Sequence, residues 1–189
     1  MALQGSGYLV VSQGGVQLYT RAGDLTLDAN GNLVAPSGGF IQGWQADAKG
    51  VITTTGATTN IQVPPGLKSA GGASLASYSI GANGIITGSF TDGTTQSIAQ
   101  LAMAAVTNPI GLSNLGNNLY SVTSNSGQAV IGTPGAGGNG TLIGGSLESS
   151  NVDLSKQLTD LIVAQESYQA NTKVISSTSQ ALNALIQNA

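Results

Sequence analysis

Residues 146–189 contain neither glycine nor proline, and a single periodicity runs through most of that stretch. Leu154, Leu158, Leu161, Gln165, Tyr168, Thr172, Ile175, Ser179, Leu182 and Ile186 are separated alternately by four and three residues. An α-helix brings such positions onto one stripe, and two positions in every seven is the narrow seam of a helix packed on another helix. One row of the seam, Leu154, Leu161, Tyr168, Ile175 and Leu182, is wholly apolar or aromatic. The other row, Leu158, Gln165, Thr172, Ser179 and Ile186, has a polar middle. Ile162, Val163, Val174 and Leu185 widen the apolar surface beside it.

Ser149, Ser150 and Asn151 are N-cap candidates, and Asp153 puts a carboxylate near the positive end of the helix dipole. From there to about Ile186 the helix would be roughly 50 Å long. That exceeds the width of a domain of this size, and a helix lying on a sheet usually shows a broader apolar face. No other stretch reads as a second helix. The ten seam residues are therefore expected to form an assembly interface with partners in trans. Alone, a helix this rich in Ser, Thr and Asn is marginally stable.

Residues 1–148 read as a small antiparallel β domain, with 149–189 as the helical segment. Gly7-Tyr-Leu-Val-Val-Ser12 and Val16-Gln-Leu-Tyr-Thr-Arg21 flank Gly14-Gly15 and predict a hairpin. Asn30-Gly31, Asn83-Gly84 and Asp92-Gly93 are strong turn signals, because both positions of such a pair tolerate positive φ. Asp47-Ala-Lys-Gly50 is a further turn. Strands are expected at Phe40-Ile-Gln-Gly-Trp44, 51–55, 59–63, Tyr78-Ser-Ile80, 85–90, along the apolar stretch 95–106, and at 119–123 and 128–131. Residues 66–76 are small and featureless and read as a linker. Turn signals recur every eight to twelve residues without a fixed-period repeat. The fold class is thus mainly β with a long C-terminal α-helix.

Composition narrows the chemistry. Charged residues make up 7% of the chain, against roughly 25% in typical soluble domains. Five Lys and Arg cannot build a phosphate-neutralising patch, so nucleic acid is not an expected partner. With neither His nor Cys, the chain lacks soft metal ligands, disulfides and the base of a catalytic triad. No catalytic, cofactor-binding or metal-binding residue is assigned. The acidic candidates are Asp24, Asp28, Asp47, Asp92 and Glu148, and Asp28 and Asp92 fall in turn sequences, where Asp bonds its own backbone. Gly135-Ala-Gly-Gly-Asn-Gly140 lacks the Lys and Ser/Thr of a phosphate loop and reads as a flexible connection before the helix. No apolar run is long enough to span a membrane. The stretch MALQGSGYLVVSQGG has no charged start and does not read as a cleavable signal peptide.

Several motifs resemble those of the bacterial flagellar axial proteins, the rod and hook family, and most closely the hook type. In the C-terminal part they are Asn108-Pro-Ile-Gly-Leu112, Gly116-Asn-Asn-Leu-Tyr120, Thr123, Ser126-Gly127, Gly145-Ser-Leu-Glu-Ser-Ser-Asn-Val-Asp-Leu154, Ala164-Gln165 and Tyr168-Gln-Ala-Asn171. In the N-terminal part they are Gln4-Gly-Ser-Gly-Tyr8, Tyr19-Thr-Arg-Ala-Gly23, Asp28-Ala-Asn-Gly31, Leu33 and Gly43-Trp44. They occur in the family's order over about two thirds of the chain. Two features depart from the pattern. The chain starts where the family's leading helix should already have ended, and residues 66–76 bridge the place where hook proteins insert an outer domain.

The resemblance implies a structural subunit that polymerises helically outside the cytoplasmic membrane, exported by the flagellar type III apparatus. Its implied partners are copies of itself and the neighbouring rod, hook-cap and hook–filament junction proteins. In a hook, such subunits form a tube that transmits motor torque; a distal rod protein is the alternative. A secreted carbohydrate-binding or adhesin module is a more remote reading, with Trp44 and Tyr19 as the rings that would stack on sugars.

Overall fold

The computed structural model describes residues 1–69, 71–146 and 153–187. The chain divides into two compact units, Met1–Glu148 and Ser149–Ala189. The first is built from strands β1 (Ala2–Gln4), β2 (Tyr8–Gln13), β3 (Val16–Thr20), β4 (Thr26–Leu27), β5 (Leu33–Val34), β6 (Phe40–Gln45), β7 (Thr59–Asn60) and β8 (Leu75–Ile80). It continues through β9 (Ile85–Phe90), β10 (Thr95–Leu101), β11 (Met103–Val106), β12 (Ser113–Gly116), β13 (Leu119–Ser121), β14 (Ala129–Gly132) and β15 (Thr141–Ile143). The second unit is the helix α1, Leu154–Gln187.

Every pairing between these strands is antiparallel, and the main sheet runs in the order β12-β13-β3-β2-β6-β10-β9-β8. Its centre is the β2–β3 hairpin, where Gln13 pairs with Val16 across Gly14-Gly15 at φ 60° and 82°. Two successive left-handed residues match the twist of the strands, as the glycine pair predicts. The expected long strand 95–106 is two strands. Ala102 donates its N–H to Gln42 O at 3.0 Å, and the chain then leaves β6, so that Met103 and Ala104 pair with Leu9 and Tyr8 of β2.

Period-two alternation sorts the central residues onto two faces. Leu9, Val11, Ile41, Leu101 and Met103 join one buried cluster, and Val10, Trp44, Ala102 and Ala104 the other. Both faces are covered, which is why 8–11 reads as an unbroken run of large apolar side chains. Each fully buried aliphatic side chain contributes roughly 1.5–3 kcal/mol relative to exposure.

Among the described residues one pattern of turn hydrogen bonds recurs six times, at residues 28–32, 35–39, 47–51, 69–73, 81–85 and 90–94. In each, the first N–H donates to the fifth carbonyl, and the N–H of the fourth residue, a glycine, donates to the first carbonyl. The fourth glycine has φ between 76° and 87°. This is a type I turn closed by a left-handed residue. It corrects the reading of the Asn-Gly pairs: Asn30, Asn83 and Asp92 keep negative φ, and only their glycines are left-handed. Gly31 cannot be replaced on space alone, since a Cβ there would lie 2.2 Å from Val63 O.

The fourth of these turns replaces the expected linker. Ser69 Oγ accepts from Gly71 N and Ala73 N at 3.2 Å each, Lys68 bridges to Ser74, and Leu75 and Ala76 already belong to β8. Residues 51–55 form no strand; Ile52 makes one bridge, to Ala46. In the expected strand 59–63, Thr59 and Asn60 form β7, while Ile61 and Val63 are buried. The glycine-rich segment 135–140 is a closed loop. Gly135 N donates to Gly140 O at 2.8 Å, Gly140 N donates to Ser6 O at 2.6 Å, and a Cβ on Gly140 would meet Gln4 O at 2.1 Å. The segment leads directly into β15, which pairs with β1 in the register Ala2↔Ile143 to Gln4↔Thr141.

Candidate functional site

Helix α1 starts on Asp153. Its Oδ1 accepts from Ser155 N at 2.8 Å and from Lys156 N at 3.4 Å, satisfying N–H groups that the helix itself leaves unpaired. The N-cap candidates Ser149, Ser150 and Asn151 lie outside the described residues. At 1.5 Å per residue, the 34 residues of α1 extend about 51 Å.

All ten seam residues lie on α1 and all are exposed. Its seven large apolar members range from 53% exposed at Leu161 to 77% at Tyr168. Ile162, Val163 and Val174 beside them are also more than half exposed, at 52%, 56% and 62%. On a straight helix a strict seven-residue repeat drifts by about 20° per heptad, so from Leu154 to Leu182 the stripe wanders by about 80°. A left-handed supercoil would remove that drift and keep the seam on one partner.

Polar groups on the helix are partly masked by its own backbone. Thr172 Oγ1 donates to Tyr168 O at 2.9 Å, and Thr159, Ser167 and Thr178 donate in the same way to the carbonyl four residues earlier. This back-bonding weakens the intrinsic preference for helix but leaves the hydroxyl of Thr172 satisfied if the seam is covered.

The β unit offers less chemistry. Asp28 Oδ1 accepts from Asn30 N at 2.8 Å and Asn32 N at 2.7 Å, and its Oδ2 accepts from Asn32 Nδ2 at 2.8 Å. The Asn32 side chain, followed by these backbone N–H groups, holds the Asp28 carboxyl below the usual carboxylate range. Asp92 is lowered in the same way, first by the Thr94 hydroxyl. Asp47 accepts from Lys49 N and Val51 N. These three carboxylates are turn anchors. Asp24 is exposed, and Glu148 lies outside the described residues.

Trp44 and Tyr19 are 7% and 4% exposed and pack in the second buried cluster. The Trp44 indole N–H donates to Gly56 O at 3.3 Å, and burial pushes the Tyr19 phenol up. Among the described residues no helix is long and apolar enough to cross a membrane, and no group of three or more acidic residues is placed to hold a metal ion.

Two family models match the chain. The "Flagellar hook protein FlgE/F/G D1 domain" matches residues 2–88, and the "Flagellar basal body rod FlgEFG protein C-terminal" matches residues 143–188, which takes in the whole seam. The chain is similar to the flagellar basal-body rod protein FlgG of Bacillus subtilis, 35% identical over 98% of this chain and 63% of that protein. It is similar to the flagellar hook protein FlgE of Helicobacter pylori, 48% identical over 55% of this chain and 14% of that protein. The hook protein FlgE of Escherichia coli is 45% identical over 59% of this chain and 28% of that protein. The chain thus spans less than two thirds of the length of each of these relatives. The two family models, over residues 2–88 and 143–188, together with a rod relative aligned along almost the whole chain, place the chain in the flagellar hook and basal-body rod protein family.

Proposed function

We infer that this protein is a structural subunit of the bacterial flagellar hook. Copies of it polymerise through the seam of α1 into a helical tube outside the cytoplasmic membrane. The tube transmits motor torque, and its ends meet the rod, the hook cap and the hook–filament junction proteins. Export proceeds through the flagellar type III apparatus. The observation that carries this reading is the exposed apolar row Leu154, Leu161, Tyr168, Ile175 and Leu182, in a chain whose relatives are named hook and rod proteins. Covering the seven apolar seam residues would contribute roughly 1.5–3 kcal/mol each at full burial. That is comparable with the roughly 4–15 kcal/mol that association costs in lost freedom. In this reading 1–148 is the wall of the tube, 149–189 the core helix, and the turn at 69–73 the place where longer relatives insert an outer domain.

A specific observation favours the distal rod as a second reading: the rod relative aligns over 98% of this chain, the hook relatives over about half of it. Expression in strains lacking either protein, with immunogold labelling, separates the two, since restored hooks and restored rods end at different heights on the basal body. The interface itself is tested by Ile175→Asp. Wild-type protein is expected to give filaments of uniform diameter in electron micrographs, and the variant none, with its β unit melting at the wild-type temperature. Normal filaments from Ile175→Asp would show that the seam is not the assembly surface.

A further inference from the structure

Three Asn-Gly pairs occur in the chain, Asn30-Gly31, Asn83-Gly84 and Asn139-Gly140, and all lie in the β unit. Such a pair reacts with itself, because glycine has no side chain to hinder its own nitrogen. That nitrogen attacks Cγ of the asparagine amide. The N–Cγ bond forms, the Cγ–Nδ2 bond breaks, and ammonia leaves with the proton of the glycine N–H. Water then opens the succinimide at either carbonyl, giving aspartate or isoaspartate.

The three folded sites differ. Asn139 is 8% exposed, its Nδ2 donates to Thr133 O at 3.3 Å, and Gly140 N donates to Ser6 O at 2.6 Å, so leaving group and nucleophile are both tied. Asn30 and Asn83 are exposed, and each is the third residue of the recurrent five-residue turn. Their glycine N–H groups donate to the first carbonyl of the turn, at 3.0 Å for Gly31 and 2.9 Å for Gly84, so that bond does not separate them. Charge does separate them, because the attack passes through an anionic tetrahedral intermediate. At Asn30 it would form beside the Asp28 carboxylate, which accepts from Asn30 N at 2.8 Å and is held ionised by its turn. That carboxylate also accepts from Asn32 N and Asn32 Nδ2 and so latches the turn. Residues 81–85 carry no charge. There the acceptor is Asn83 Oδ1 itself, which takes the Ile85 N–H at 3.3 Å. A bond to the residue two positions on folds the amide forward along Gly84, and the donor polarises the carbonyl that is to be attacked.

We propose that Asn83 is the site at which the folded protein first deamidates, ahead of Asn30, with Asn139 spared. Its turn is a junction. Ala82 O accepts from Leu142 N at 3.0 Å, Asn83 O from Gln100 Nε2 at 2.9 Å and Gly84 O from Leu101 N at 2.9 Å, which ties β15 and β10 to consecutive carbonyls. Isoaspartate lengthens this stretch of main chain by one methylene, and either product adds a negative charge to a net charge of −3.

The test follows the full-length chain, folded and in denaturant, at mildly alkaline pH in heavy-oxygen water, with label uptake at each pair read by peptide mass spectrometry. The folded chain is expected to label Asn83 about fivefold faster than Asn30 and to leave Asn139 unlabelled. High salt should narrow the gap, and Asp28→Asn should raise the rate at Asn30 toward that at Asn83. In denaturant the three rates should converge. Faster or equal labelling at Asn30, or labelling at Asn139 first, overturns the proposal. So does the same ranking in denaturant, which would trace to sequence alone. An Asn83 that labels in denaturant but not in the folded chain also overturns it, since the turn would then protect the amide.

Discussion

Leu9, Ile41, Leu101 and Met103 of the β unit are wholly buried, whereas Leu154, Tyr168 and Ile175 of α1 are 75%, 77% and 70% exposed. The residue types are alike; their spacing decides their fate. In β2, β6, β10 and β11 successive apolar residues point to opposite faces, and each face is buried in its own cluster, so the unit satisfies itself. In α1 they repeat every seven residues on a narrow stripe that matches another helix. The β unit is held by short local turns and long-range pairing, and the helix by its own backbone bonds and one cap. It follows that the first unit should tolerate dilution and α1 should not.

The sharpest break inside the β unit is Gly31→Ala. Its Cβ would overlap Val63 O at 2.2 Å while φ stays at 81°. Gly93→Ala shares the turn geometry, at φ 80°, but meets nothing within 4 Å. The expected losses are about 3 kcal/mol or more for Gly31→Ala and about 1 kcal/mol for Gly93→Ala, read by denaturant unfolding of the β unit. Equal losses would mean that the turn conformation, rather than the approach of Val63, makes glycine necessary at position 31.

Acid should separate the two regions next. The folded-state carboxyls of Asp28 and Asp92 are lowered. Their contribution is therefore complete above the ordinary carboxylate range and is lost as pH falls through that range toward the lowered folded values. A titration of β-unit stability should fall there, and Asp28→Asn should flatten the fall; a variant as acid-sensitive as wild type would remove Asp28 from the account. The smallest effect belongs to the helix start, where Asp153→Ala should cost about 1 kcal/mol of helix stability by circular dichroism and leave the β unit unchanged.

How much of this was legible depended on how local the signal was. The Gly14-Gly15 hairpin, the turn at Asp47 and the long helix follow from adjacent residues or a sustained period, and sequence alone finds them. The β1–β15 pair was missed because two three-residue strands, Ala2–Gln4 and Thr141–Ile143, support each other across almost the whole β unit. Neither has a pattern of its own. The small residues of 66–76 and 135–140 resembled flexible linkers. In both, compactness comes from backbone hydrogen bonds, which any small residue can make, and in 135–140 also from the close approach of Gly140 to Gln4 O, which only glycine permits. Trp44 and Tyr19 look alike in sequence whether they face solvent or a second buried cluster. For the seam, periodicity gave the helix and its stripe, whereas what covers the stripe leaves no pattern in the seam residues themselves.

The central claim is that α1 is completed by assembly, and hydrogen exchange tests it most directly. Backbone amides of the β unit and of α1 are followed by mass spectrometry in dilute monomer and in assembled polymer. The account predicts strong protection of β2, β6 and β10 in both samples, with α1 exchanging freely in the monomer and becoming protected in the polymer. Strong protection of α1 in dilute monomer, or its continued free exchange in the polymer, would contradict it.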